Sequence, residues 1–340
     1  MTIGRYLLRR LGLAIFVAFG VLAVTFVISR VVPSSPERLY AGARANPETI
    51  ALVHQRLGLD RPLTVQFARY LASLIRGDLG ESYATKRPIL EDLRIFLPAT
   101  LELVSLASFL ALVVGIPVGV LSGAQRGRLF DRLARLISLS GVSIPLFWMA
   151  LLLQLVFFGL LGLLPLGGRV DPVVSVTNHI ETITGFNVID AAITRNSIAL
   201  LDAVRHLILP VSVLAIYPVA LTIRMTRASM IEALSEDYIL AARAAGLPES
   251  RVLFRLALRN ALIPTLTVLG LTFAYSITGA FLVEIVFAWP GVGKYVADAI
   301  LAADFPVVMA VTLVVTIVYI VVNLVVDLIQ AAIDPRIRLG

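Results

Sequence analysis

The sequence predicts an all-α polytopic membrane protein with six transmembrane helices, and three observations carry that prediction. First, 59% of the 340 residues are apolar, only 15% are charged, and the mean hydropathy is +0.92. A soluble domain of this length needs more charge to cover its surface. Second, six apolar runs reach the roughly 20 residues that cross a bilayer; they fall at residues 11–32, 98–122, 136–164, 206–225, 261–287 and 306–331. Third, the arginines divide unequally. Six crossings put both termini and the loop near residue 240 on one side. That side holds Arg5, Arg9, Arg10, Arg126, Arg128, Arg132, Arg135, Arg224, Arg227, Arg243, Arg251, Arg255, Arg259, Arg336 and Arg338, against Arg30, Arg169, Arg195, Arg205 and Lys294 in the short segments of the other. Basic residues in short loops stay in the cytoplasm, so the termini and the 240 loop are expected to be cytosolic. The same asymmetry accounts for the net charge of +7. The expected partner of these residues is the lipid bilayer, not a nucleic acid.

Taken in order, residues 1–32 form a cytosolic N-terminus and an uncleaved first span, because the apolar run exceeds the roughly 7–15 residues of a signal-peptide core. Residues 33–97 are an extracytoplasmic insert. Stretches 47–57 and 62–75 have helical spacing with proline near their starts and are expected to form a small cap on the membrane surface. The insert's acids and bases are scattered and supply no nucleophile, base and orienter together. Residues 98–331 are a five-span core. Its first span carries Gly115 and Gly119, the small-xxx-small spacing that lets helices approach closely. The next is expected to kink at Ser143-Ile144-Pro145, and its Gln154 to bond another helix rather than a substrate. A polar external loop over 166–205 follows. Pro210 and Pro218 are expected to distort the fourth span, and residues 332–340 make a cytosolic tail. The chain has no cysteine, which removes disulfides and thiol chemistry, and His54, His179 and His206 lack metal-ligand spacing, so no metal site is expected.

The cytosolic loop over 232–259 stands apart from its apolar neighbours. Ser235, Glu236 and Asp237 offer a capping residue and negative charge at a helix start. Residues 238–245 form the expected helix, kept slim by Ala241, Ala242, Ala244 and Ala245. Gly246 supplies a left-handed stop and Pro248 opens a second helix. A short rigid helix of this kind suits a groove on a cytosolic partner. The chain has no nucleotide loop of its own. In Pro290-Gly291-Val292-Gly293-Lys294-Tyr295, a phosphate-binding loop would need glycine and Ser/Thr where Ala288 and Tyr295 stand. Glu284 lies near the outer end of the fifth span beside an interfacial Trp289, and Asp327 near the inner end of the sixth. Both are expected to be paired at the interface. The scarcity of acids between them argues against a proton or sodium relay.

Asp237-Tyr238-x-x-x-Ala242-Arg243-Ala244-x-Gly246, followed by Leu258-Arg259-Asn260-Ala261-Leu262-Ile263-Pro264, resembles the cytoplasmic "EAA" loop of ABC importer permeases. The resemblance is to the dipeptide/oligopeptide/nickel group, in its first-permease branch. It continues in Gly77-Asp78-Leu79-Gly80, Leu97-Pro98-Ala99-Thr100, Arg205-His206-Leu207-Ile208-Leu209-Pro210, Arg224-x-x-Arg227-Ala228-Ser229-Met230, Glu284-x-x-Phe287-x-Trp289-Pro290-Gly291-x-Gly293 and Asp334-Pro335-Arg336. Leu240 and Arg259 depart from the general importer motif, which has Glu and Pro there, and narrow the resemblance to the peptide branch.

The resemblance implies a type I importer permease arrangement with the first span packed around the outside. It implies a second related permease, two cytosolic ABC ATPase subunits that bring ATP and Mg, and an extracytoplasmic solute-binding protein, in a prokaryotic cytoplasmic (inner) membrane. Asp237, Tyr238, Ala241, Ala242, Arg243, Ala244 and Gly246 would then couple to an ATPase. Arg259, Asn260 and Pro264 would link the loop to the fifth span, and Glu284, Trp289, Pro290 and Gly291 would serve as gate or packing. The chain itself would bind no cofactor and do no bond chemistry. Di- or oligopeptides are the expected substrates; nickel chelates, glutathione and oligosaccharides remain open within the group. A secondary carrier or a membrane scaffold are the rival classes.

Overall fold

The computed structural model describes residues 3–31, 36–42 and 45–333, and every extended element among them is a helix. The Asp334-Pro335-Arg336 motif, with Arg338 and residues 32–35 at the start of the insert, lies outside the described residues. Helix α1 (Ile3–Val31) leads to the three insert helices α2 (Pro36–Ala41), α3 (Pro47–Arg56) and α4 (Leu63–Ile75). Asn46 caps α3 by accepting from the Thr49 N–H ahead of Pro47. The cap is fastened to the first span, since Phe67 of α4 packs against Phe19 and Phe26 with ring centroids 5.7 and 5.1 Å apart.

Helix α5 (Ile89–Ala124) begins at Ile89 rather than at Pro98, which lies inside it. Ile89 and Leu93 are buried with Val292, Tyr295, Val307 and Val311. That burial carries the helix through a proline whose ring forfeits one backbone hydrogen bond. Farther on, the glycine spacing extends to a third position. A Cβ at Gly115, Gly119 or Gly123 would come within 2.8, 2.5 and 2.7 Å of Thr222, Thr226 and Met230. Both sets advance by four residues, so three glycines face three side chains along one seam.

The third span differs most from expectation. Instead of a kinked helix, α6 (Leu129–Ser143) and α7 (Leu146–Leu160) meet at 105°. Pro145 forces Ile144 into extended backbone (φ −84°, ψ 127°), which ends α6 outright. The 166–205 loop then carries α8 (Pro172–Thr177) and α9 (Asn187–Ile193). Helix α10 (Ser197–Leu234) extends well beyond the 206–225 run at both ends and continues through Pro210 and Pro218, both buried. After α11 (Asp237–Ala244) comes α12 (Glu249–Val286), so the second half of the 232–259 loop is already the start of the fifth span, joined through a π-helical turn at Val252–Ala257. The segment after α12 holds α13 (Val292–Leu301), and α14 (Phe305–Ile333) is the last span.

Five of these helices are long and apolar enough to cross a membrane, and the bent α6–α7 pair makes a sixth crossing. Helix α10 is the axis of the core, packed on α5, α6 and α12. Leu103, Val104 and Ala107 of α5, Val213 and Leu214 of α10, and Ala280 and Val283 of α12 form its largest cluster. Helix α1 stands at the periphery against α14, where Arg10 pairs with Asp327 as expected for that acid.

Candidate functional site

The candidate site residues gather in two places, at the two ends of α12. The inner group is the α11 hairpin. Its stop is a Schellman turn: the Leu247 N–H donates to the Ala242 carbonyl at 3.2 Å and the Gly246 N–H to that of Arg243 at 3.0 Å. Gly246 makes this possible at φ +76°. The start differs from expectation, because Ser235 turns its hydroxyl back to the Glu232 carbonyl and Glu236 holds the cap position without a side-chain bond. The helix also has two unlike faces. Ile239 and Ala242 are buried, Ala242 only 8% exposed, in a cluster with Val120, Met230, Val252 and Ala257. Asp237, Tyr238, Leu240 (69% exposed), Ala241, Arg243 and Ala244 face outward.

Two contacts tie the hairpin together. Asn260 Nδ2 donates to Tyr238 Oη at 2.9 Å, joining the coupling and linkage sets directly. Arg243 pairs with Glu249 at 2.7 Å, which raises the guanidinium pKa further above its ordinary value. Both partners are exposed, so the pair shapes the hairpin more than it stabilises it. Arg259 is exposed and Pro264 is a half-buried residue inside α12. Tyr238→Phe removes a single exposed hydrogen bond, worth about 1 kcal/mol at most. Transport by that variant is expected to stay within about twofold of the native rate, measured as initial uptake.

The outer group lies about 36 Å farther along the same helix, by helical rise from Asn260 to Glu284. Glu284 is 0% exposed. Its partners are a hydroxyl and a backbone N–H rather than a cation: Thr100 Oγ1 donates at 2.5 Å and Lys294 N at 2.9 Å. Thr100 in turn accepts from the Val292 N–H at 2.8 Å. Gly291 and Gly293 have a steric reason, since a Cβ on either would fall 2.2 and 2.9 Å from the Glu284 carboxylate. Trp289 is buried and donates Nε1–H to the Ala99 carbonyl at 3.0 Å. Pro290 completes the turn, half-buried. Across it, Arg169 pairs with the buried Glu102 at 2.5 Å, donates to the Gly185 carbonyl at 2.8 Å, and lies 5.5 Å from the Trp289 ring centre. Asp190 organises the Gly185 loop. Burial alone would raise its pKa, but bonds from the Thr184 hydroxyl and the Thr184, Gly185 and Ile183 N–H groups outweigh that and lower it.

Sequence reasoning missed Glu102 and Arg169 here and Asp131 at the inner side, and named Thr100 and Arg227 only within motifs, without a role. Two of the acids carried a signal. Glu102 is an acid inside an apolar helix, and Asp131 is the only acid among the arginines from 126 to 135.

The chain matches the family model described as "Binding-protein-dependent transport system inner membrane component" over residues 115–339, and its N-terminal companion over residues 3–104. It is 47% identical over 340 residues to the "Probable D,D-dipeptide transport system permease protein DdpB" of Escherichia coli K12, covering 100% of this chain and 99% of that one. It is 44% identical to the "Di/tripeptide transport system permease protein DppB" of Pseudomonas aeruginosa UCBPP-PA14, covering 89% of each. With the "Dipeptide transport system permease protein DppB" of E. coli K12 it shares 42% identity, covering 98% of each. Among solved structures, an inward-facing MetNI methionine ABC transporter is similar at a TM-score of 0.48 and 16% identity, over 69% of this chain and 93% of that one. The chain belongs to the family of inner-membrane components of binding-protein-dependent transport systems, as a multi-pass permease subunit of an ABC importer.

Proposed function

We propose that this permease subunit imports di- or oligopeptides across the inner membrane by alternating access. The subunit binds no nucleotide; ATP and Mg bind two cytosolic ABC ATPase subunits, and a second, related permease completes the path. A solute-binding protein delivers peptide to the external face formed by α8, α9 and α13. Both termini and the α11 hairpin are cytosolic, in keeping with the arginine asymmetry. The outward face of α11, with Tyr238, Leu240, Ala241 and Ala244, seats in an ATPase groove. Arg259, Asn260 and Pro264 lie where the push enters the fifth span, and the Glu284–Trp289 turn closes the outer end.

The observation that carries this reading is the single rod α12, with the capped hairpin at one end and the buried Glu284 turn at the other. A push on α11 has a stiff path to the outer side. Full-length similarity to dipeptide permeases supports the substrate class.

The test is co-expression with neighbouring subunits, purification, and reconstitution into liposomes. ATP-dependent uptake of labelled dipeptides is expected, unaffected by proton or sodium ionophores. Uptake that needs an ion gradient and no ATPase would return the secondary-carrier reading. ATP-driven uptake of a nickel chelate, glutathione or an oligosaccharide, with none of peptide, would replace the substrate class.

A further inference from the structure

Asp131 is 0% exposed, and its carboxylate gathers donors from three elements. Oδ1 accepts from Arg227 Nε at 2.5 Å and from Ser122 Oγ at 2.8 Å. Oδ2 accepts from Arg227 Nη2 at 3.0 Å and from the Gly127 N–H at 2.9 Å. Arg135 stands beside it at 3.8 Å. Ser122 is in the last turns of α5, Asp131 in the first turn of α6, and Arg227 near the end of α10.

Such a cluster is poor evidence for stability. Burying a charge costs about as much as a good ion pair returns, and apolar replacements of similar shape often do as well. What a bidentate guanidinium–carboxylate pair does supply is fixed direction. The direction here matters because of what adjoins it. Past Arg227, α10 runs on for about 10 Å to Leu234, and only the two-residue turn Ser235-Glu236, extended at Glu236, separates it from α11. On the same stretch of α10, the glycine seam holds α5 in contact through Thr226 and Met230.

We propose that the Asp131–Arg227 pair is a mechanical joint, which makes the inner ends of α5, α6 and α10 move as one body when α11 is displaced. This is a positioning role in the transport cycle, and it rests on the importer reading above. Without the pair, α10 still receives the displacement, but the turn between α5 and α6 does not follow.

The test uses the whole complex in liposomes, with ATP hydrolysis and dipeptide uptake measured on the same preparation. Asp131→Asn removes the charge and keeps the shape; Arg227→Lys keeps the charge and removes the fork. For both, complex assembly is expected at native levels, hydrolysis within about twofold and uptake lower by about tenfold, so that peptide moved per ATP falls. Unchanged peptide per ATP overturns the proposal. So does a parallel fall of hydrolysis and uptake with the amount of assembled complex, the outcome of a merely structural contact. If Asp131→Asn fails to assemble, Arg227→Lys decides between these results. A native complex with no ATP-driven uptake of peptide, nickel chelate, glutathione or oligosaccharide overturns the alternating-access reading, and this joint with it; uptake of one of the others replaces only the substrate, and the ratio is then read on that solute.

Discussion

Gly119→Leu is expected to leave no assembled complex to measure, and Gly119→Ala to lower the thermal midpoint of the purified protein. An added Cβ at residue 119 would lie 2.5 Å from Thr226 Cβ and 3.0 Å from the Ile223 carbonyl oxygen. Neither atom can rotate away, because one is fixed to the backbone and the other belongs to it. Thr226 Oγ1 is also 3.3 Å from Thr265 Oγ1, so a shift of α10 disturbs α12 as well. Overpacking of this kind costs about 1–3 kcal/mol for each small increment, and the three glycines share one seam, so opening it at Gly119 loosens Gly115 and Gly123 too. Gly20 on the peripheral α1 has nothing within 4 Å of its Cβ position. Gly20→Ala should therefore leave the midpoint unchanged or slightly raised. Equal effects at the two positions, read by size-exclusion yield and thermal unfolding, would rule out close packing as the reason for Gly119.

Gly246→Val is expected to bring uptake to background while Gly246→Asn keeps most of it. No atom lies within 4 Å of the Cβ position, so space is not the objection. The objection is φ +76°, which costs an ordinary L residue about 1–2 kcal/mol, most for a β-branched one and least for asparagine. Losing that turn releases both Schellman hydrogen bonds and the angle at which α11 leaves α12. Membrane insertion and the affinity for the binding protein should not change, since both depend on distant surfaces. Uptake assays that find Asn as damaging as Val would mean that residue 246 is a contact with the partner rather than a backbone hinge. Ala242 requires a different interpretation. Bulk there overpacks the buried cluster that Ala242 shares with Met230, Ile239 and Val252 of this chain, so Ala242→Leu is expected to unseat α11 from within. Leu240→Asp, on the open face, is the cleaner probe of the partner.

The membrane crossings were legible because lipid selects local apolar composition, which each run carries by itself. Their ends were not, because α10 continues past the 206–225 run through Asp202, Arg205, Arg227 and Glu232, where Ala199, Ala203, Met230 and Ala233 are buried in the fold. Pro145 announced a kink, but the 105° break was not legible, because Ile144 leaves helical backbone altogether. Ala242 resembled its neighbouring alanines in composition, yet Ile239 and Ala242 stand three apart and mark the buried stripe. The glycines at 291 and 293, whose spacing fails as a nucleotide loop, make room for the Glu284 carboxylate. Arg169 with Glu102 and Arg227 with Asp131 are 67 and 96 residues apart, and only the tertiary fold joins them.

The sharp bend after Ser143 leaves α7 only Leu146–Leu160 with which to cross. That is about 22 Å of helix, set against about 30 Å of hydrocarbon. The chain beyond it leaves the helix from Leu163 to Gly168 and must find other hydrogen bonds. It does so: Arg205 donates to the Leu163 carbonyl at 3.0 Å, Gln154 to that of Leu166 at 2.8 Å, and the Gly168 N–H to that of Phe287 at 2.8 Å. Gln154 also reaches the Val286 carbonyl at 3.1 Å, which is the helix-to-helix bond its sequence position suggested. On this flank, then, a folded segment continues the short helix. Membranes with longer acyl chains strain this short crossing before any of the others.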